Sequence, residues 1–394
     1  MTSATRNTFT PPIPESRRWV EGVAFPADRP LINLSQAAPA DPPPAPLLNA
    51  MSVALTRDDT HLYGAVLGRD DLRAGLAKAW SGFYGADVSP EQTAITAGCN
   101  QAFAAVIAAT CGSGDEVIIP TPWYFNHKMW LDMAGIATVP LATGADLLPD
   151  PAKARALITD KTRAIALVSP NNPCGVEYTP SLIREFFDLA RENGIKLILD
   201  ETYRDFHSVS GAPHELLEIP DWDNTLIQLY SFSKSFRLTG HRVGAFFGNA
   251  DLMFEAEKFL DTVAICPTQL GQIAALFGLE NLSDWLSEQR QEVLDRRAAV
   301  EEHFAPLASK GWHLRGVGAY FAYLEHDFDQ SSDEIAKKLV HEASLLLLPA
   351  SMFLPDNDPS APRAFRMAYA NIDRAGIAET ARRLAALDWP LAGA

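Results

Sequence analysis

The stretch Ser231-Phe-Ser-Lys234-Ser-Phe-Arg-Leu-Thr-Gly240-His-Arg242-Val-Gly244 decides how the chain is read. An apolar run, Thr225-Leu-Ile-Gln-Leu-Tyr230, comes before it and reads as a buried strand. A second, Val243-Gly-Ala-Phe-Phe247, follows it. A lysine at a strand end among apolar neighbours is a candidate amine nucleophile, because burial disfavours its charged form. Ser231, Ser233 and Arg242 add hydroxyls and a planar cationic fork, a donor set suited to phosphate. Taken alone, the stretch fits a solvated surface loop equally well.

Working outward, 394 residues suit two domains, or one large domain with a smaller companion. A hydrophobic content of 47% with 21% charged residues is enough to bury a sizeable core. The net charge of −16 argues against a nucleic-acid partner. Cys99, Cys111, Cys174 and Cys266 are scattered, with no metal-ligand spacing, so reduced thiols in a cytoplasmic protein are expected. Met1 to Trp19 has no apolar core of a secretory signal, and no run approaches the roughly 20 apolar residues of a membrane helix, so no membrane partner is expected.

Residues 1–45 are rich in proline and read as an extended arm needing another surface, with Leu31-Ile-Asn-Leu34 as a short strand. Helical and strand patterns then alternate over 46–283. Thr93-Ala-Ile-Thr96 runs through Ala97-Gly98-Cys99-Asn100 into a helix, and a helix start after a glycine offers free amides to an anion. Asp115 to Ile119, Arg163 to Val168 and Lys196 to Leu199 read as further buried strands. Thr179 as cap, Pro180 at the first helical position and Gly194 beyond the end bracket a helix. From 284 a long charged helix, a strand over Gly316 to Leu324 and further short elements indicate a smaller α+β domain over 284–394.

Alternating strands and helices indicate an α/β domain with a mainly parallel sheet flanked by helices. Ligands of such sheets sit beyond the carboxyl ends of the strands. Gly98 to Asn100, Tyr124, Asn172, Asp200 with Tyr203, and Lys234 each follow closely on an apolar strand. They are therefore expected to gather at one edge.

Assembled this way, the chain resembles the fold-type I pyridoxal-phosphate enzymes, and within them the class I/II, aspartate aminotransferase-like, aminotransferases. The Ser231 to Gly244 pattern is the most specific part. Asn171-Asn172-Pro-Cys-Gly175 resembles the family's Asn-Pro-x-Gly turn, and Asp200-x-x-Tyr203 its cofactor-ring pair. The resemblance implies a seven-stranded sheet, pyridoxal 5'-phosphate as cofactor, and transfer of an amino group from an amino acid to a 2-oxo acid. It implies a Schiff base on Lys234 and a phosphate cradle of Gly98, Cys99, Asn100, Ser231, Ser233 and Arg242. Asp200 would face the pyridine nitrogen, Tyr203 and Asn172 the phenolic oxygen, and Tyr124 the ring face. Arg366, with Asn172 and Ala37, would bind the substrate. Tyr63 would reach the phosphate of a second subunit, making a homodimer with composite sites.

Three departures bear on the substrate and leave the cofactor alone: Ala37 where many relatives have glycine, Cys174 in place of threonine, and Pro349-Ala350 in place of Pro-Gly. The same residues would serve a lyase or decarboxylase on this cofactor, which is the alternative reading. No second arginine for a distal carboxylate stands out. Trp123 and Tyr320 are candidates to line a pocket for bulky side chains.

Overall fold

The computed structural model describes residues 3–392; residues 1–2 and 393–394, at the ends of the expected arm and last domain, lie outside them. In chain order the strands are β1 (Ile32–Asn33), β2 (Thr93–Thr96), β3 (Glu116–Thr121), β4 (Ala137–Ala142), β5 (Thr162–Val168), β6 (Lys196–Asp200), β7 (Leu226–Ser231) and β8 (Gly244–Phe247). After them come β9 (Trp312–Gly318), β10 (Phe321–His326), β11 (Leu345–Leu346), β12 (Leu348–Pro349) and β13 (Ala364–Ala368).

The central sheet has seven strands in the order β2-β8-β7-β6-β5-β3-β4. Only β8 runs against its neighbours β2 and β7. Its inner strands are near-continuous apolar runs because helices cover both faces. Side chains alternate between the faces. Ile118, Ile165, Leu167, Leu197 and Leu199 enter one core, while Val117, Ile119, Ala164, Ala166 and Ile198 enter the other.

Helix Pro180–Glu192 follows the expected logic. The Thr179 hydroxyl accepts from the Leu182 amide at 3.2 Å, and Ile183, Phe186, Phe187 and Ala190 form one buried face. Burying each phenylalanine contributes about 1.5–3 kcal/mol.

The antiparallel sense of β8 positions the site. A parallel neighbour would need a long crossover, whereas an antiparallel one needs only a loop. Ser231 pairs with Gly244 in register, so residues 232–243 leave the carboxyl end of β7 and return without leaving that edge of the sheet.

The second sheet, β12-β13-β10-β9, is antiparallel, and β1 pairs parallel with β11. The pairing of β1 with β11 ties the arm to the second sheet's layer. Three expectations need correction. The arm is not extended throughout: Pro12–Val20 is a helix, with Pro12 at its first position, where no amide donor is needed. The single strand over Gly316 to Leu324 is a hairpin, β9 and β10, turning at Ala319, whose φ is 43°. The loop expected at Trp123 to Phe125 continues into helix Phe125–Ala134 and then β4. Proline at position 140 masks β4 in the sequence, but an edge strand tolerates a missing donor.

Candidate active site

A cavity of about 470 Å³ opens at the carboxyl edge of the large sheet. Ala37, Cys99, Asn100, Tyr124, Asn172, Asp200, Tyr203, Ser231, Ser233, Lys234, Arg242 and Arg366 all line it. Gly98 adjoins it beneath Arg242. Tyr63 does not; its side chain is 80% exposed and stands apart. Trp123 and Tyr320 do not line this cavity. Trp123 is buried against a smaller one, and Tyr320 packs beside Tyr203 and Phe206 behind Lys234.

Lys234 sits in the short helix Phe232–Ser235, which the Ser231 hydroxyl caps by accepting from the Ser233 amide at 3.3 Å. Its Nζ donates to the Ala37 carbonyl at 2.5 Å and lies 5.9 Å from both the Tyr203 and Tyr320 ring centres. Burial, with Arg242 and Arg366 nearby, lowers its pKa from 10.5 to about 8.

Asp200 ends β6 and is only 2% exposed. Its Oδ1 accepts from the Thr202 amide at 2.9 Å, and its Oδ2 lies 3.2 Å from His127 Nε2. Cys99 Sγ is 3.7 Å from Oδ1, and burial together with this carboxylate holds the thiol well above its ordinary pKa. His127 stacks on Phe103 with centroids 3.8 Å apart. Nothing in the spacing of His127 pointed to Asp200, which is distant in sequence; only the turn of helix Phe125–Ala134 brings the two together.

Helix Cys99–Thr110 begins at Gly98, whose φ is 89°, a conformation that suits glycine. No side chain caps this helix start. Arg242, itself left-handed at φ 52°, reaches over it, and a Cβ on Gly98 would stand 2.2 Å from its Nη2. Arg242 Nη1 donates to the Thr239 carbonyl at 3.0 Å and to Ser233 Oγ at 3.4 Å.

Arg366, on β13, is 2% exposed among the rings of Phe125, Phe321 and Phe353. It donates to Asn172 Oδ1 at 3.1 Å and to the Ser35 carbonyl, while its Nε has no partner among the described residues. Burial lowers its pKa from 12.5 to about 10. Tyr203, buried, has its phenol held well above the ordinary pKa. Tyr124 OH donates to Asn100 Oδ1 at 3.2 Å and accepts from Asn126 at 2.8 Å, and burial raises its pKa to about 12.

A buried amine of lowered pKa, a buried carboxylate and a cationic helix-capped cradle thus share one cavity. The family profile of aminotransferase class I and II matches residues 29–384. The chain belongs to the class I and II aminotransferases. It is a pyridoxal-phosphate-dependent transaminase, moving an amino group from an amino acid to a 2-oxo acid. Among its relatives, the aromatic amino acid aminotransferase of Corynebacterium glutamicum is 33% identical over 255 residues, 64% of this chain and 72% of that one. The aspartate aminotransferase of Thermotoga maritima is 27% identical over 82% of this chain and 84% of its own. A solved structure of that Thermotoga maritima enzyme superposes with a TM-score of 0.86 at 24% identity, over 98% of this chain and 99% of that one. An aminotransferase structure from Staphylococcus aureus gives 0.82 at 26%, over 93% and 97%.

The transaminase's residues fit the cofactor. Arg242, the Ser231 and Ser233 hydroxyls and an uncapped helix start suit a phosphate dianion. The backbone is held close around that cradle, since a Cβ on Gly244 would stand 2.5 Å from Cys99 N. Asp200, buried and backed by His127, suits a protonated ring nitrogen.

Proposed function

We propose that Lys234 is the residue that holds pyridoxal phosphate and moves the substrate's Cα proton during transamination. The observation that carries this is the buried Lys234 amine, with a pKa drawn down to about 8, lining the same cavity as Ser231, Ser233, Arg242 and Asp200. Pyridoxal phosphate, when bound, supplies an electrophilic aldehyde and an electron-withdrawing ring. Lys234 Nζ, neutral for part of the time near pH 8, can accept a proton at one carbon and return it at another. Asp200, with His127 beside it at 3.2 Å, would keep a positive ring nitrogen of the bound cofactor charged. Tyr203 and Asn172 would donate hydrogen bonds to its anionic ring oxygen. The Arg366 fork binds the α-carboxylate of amino acid and 2-oxo acid alike, with Asn172 already on one of its nitrogens. Ala37 lines the substrate side of the cavity, and its carbonyl accepts from Lys234.

Two further parts of the reading concern assembly and setting. Tyr63 serves the cradle of a second subunit in a homodimer, which its exposure outside its own cavity supports. Four cysteines without a disulfide, Cys99, Cys111, Cys174 and Cys266, support a cytoplasmic setting. The chain divides into an arm (1–45), a large cofactor-holding domain (46–283) and a small domain (284–394).

Replacing the amine tests the assignment. In Lys234→Ala, turnover is expected to fall by at least about 10²–10⁴-fold, and borohydride should no longer fix the cofactor to the chain. Wild-type turnover, or a covalent cofactor adduct elsewhere, would eliminate it.

A further inference from the structure

Lys234 sits on a helix of only four residues, Phe232–Ser235. One turn is too short to stand on its own backbone hydrogen bonds. The Phe236 amide closes it on the Phe232 carbonyl at 3.4 Å, a long contact. Its direction must therefore be set by groups outside it.

Ser235, beside Lys234 and 1% exposed, carries such a contact. Its Oγ is hydrogen-bonded to Tyr230 OH at 2.9 Å, and Tyr230 OH donates to Asp205 Oδ2 at 2.7 Å. Arg204 Nη1 donates to the other oxygen, Oδ1, at 3.0 Å. From Arg204 the contacts run on through the interior. Its Nε donates to Tyr84 OH at 3.1 Å, and Tyr84 OH donates to Glu201 Oε2 at 2.7 Å. Gln228 of β7 donates to the same oxygen.

None of these groups lines the cavity, and the assignments above leave all of them unused. Buried charges are a weak source of stability, because apolar side chains of similar volume often do as well. What the network does have is a particular route. Asp200 and Tyr203 line the cavity, while Glu201, Arg204 and Asp205 of the same segment lie in the network. The far end of the network is the residue next to Lys234.

Resting on the reading of Lys234 as the amine that moves the Cα proton, we infer that Tyr230 and Ser235 are positioning residues for Lys234. Their hydroxyls tie its helix to Asp205, and so fix the amine against the segment that carries Asp200 and Tyr203. Arg366 and Asn172 make none of these contacts, so the link acts on the rate of proton transfer and leaves substrate binding alone.

Single turnovers of the cofactor-loaded enzyme test this. The donor is the common L-amino acid that the wild-type protein consumes fastest, with hydrogen or deuterium at Cα, and rates are followed by the cofactor's visible absorbance per bound cofactor. Tyr230→Phe and Ser235→Ala each delete one oxygen and add no volume. Each is expected to slow the turnover at least about tenfold, with the half-saturating donor concentration changed less than about twofold. The deuterium effect is expected to stay at or above the wild-type value, and the double variant to be no slower than the slower single one, since both cut one link. Wild-type rates in the folded, loaded variants overturn the inference. A deuterium effect that falls towards one, or losses that multiply in the double variant, also overturns it. If Tyr230→Phe does not fold, Ser235→Ala decides by the same rate and isotope effect. Wild-type turnover in Lys234→Ala would instead remove the reading of Lys234, and this inference with it.

Discussion

Lys234 sits where burial and two guanidinium groups act against its charge, and this has a measurable consequence at the residue scale. Only the neutral amine is a nucleophile, and a pKa near 8 makes that form abundant in mildly alkaline solution, where an ordinary lysine would stay charged. The rate at which cofactor-free protein takes up pyridoxal phosphate should therefore rise with pH through a midpoint of about 8. Arg366→Gln removes one positive neighbour, so the midpoint should move upward, towards 10.5, as followed by visible absorbance. A midpoint that stays put would remove Arg366 from the causes of the shift. Lys234 and Asp200 stood out in the sequence because each follows an apolar run and differs chemically from it, whereas Arg366 was singled out only by the family resemblance; all three line the one cavity. The sequence did not disclose His127, whose meeting with Asp200 depends on a helix packed from another part of the chain. Nor did it show that the carbonyls of Ser35 and Ala37 would hold Arg366 and Lys234, since backbone acceptors carry no residue identity.

Two strands joined by one loop form the working element: β7, residues 232–243 and β8. Ser231 and Gly244 pair across it, so the loop's serines, lysine and arginine are pinned at both ends. That element was legible because a mostly apolar run over 225–230, a polar interruption and another mostly apolar run leave little choice. Helix Phe125–Ala134 and β4 were not legible, because their faces are mixed and Pro140 interrupts the strand pattern. Close contact between elements supplies a paired test. At Gly244 an added Cβ would meet Cys99 N at 2.5 Å and Gly98 C at 2.6 Å, all backbone, which cannot step aside. At Gly240, four residues earlier, it would meet nothing within 4 Å. Gly244→Ala should lower stability by about 1–3 kcal/mol and weaken cofactor retention by widening the cradle. Gly240→Ala should change stability by less than about 1 kcal/mol. Denaturant midpoints and dialysis of the loaded protein measure both, and equal effects would mean the cradle tolerates displacement.

At the scale of the whole molecule, the arm joins the two sheets. β1 pairs with β11, Ser35 and Ala37 accept from Arg366 and Lys234, and Arg237 from the Lys234 loop donates to the Pro42 carbonyl and faces Asp41 at 3.2 Å. One chain thus lines its own cavity with its own arm, yet Tyr63 is not among the residues lining that cavity and is exposed, as is its chain neighbour Leu62. A phenol left exposed outside its own site is explained if a two-fold partner receives it, for a two-fold interface brings the same patch to both subunits. Mixing two inactive variants tests this directly. A subunit carrying Lys234→Ala keeps Tyr63, and a subunit carrying Tyr63→Ala keeps Lys234. In a hybrid dimer the second subunit's cavity has its own Lys234 and receives Tyr63 from the first, so it is intact, while the other cavity lacks both. Random pairing of equal amounts yields hybrids as half of the dimers, so roughly a quarter of all sites should recover after joint unfolding and refolding. The recovered activity should have the wild-type KM, because the restored sites are chemically unaltered. If Tyr63 acted within its own chain, the hybrids would be no more active than the sum of the two parents, and the composite site would be ruled out.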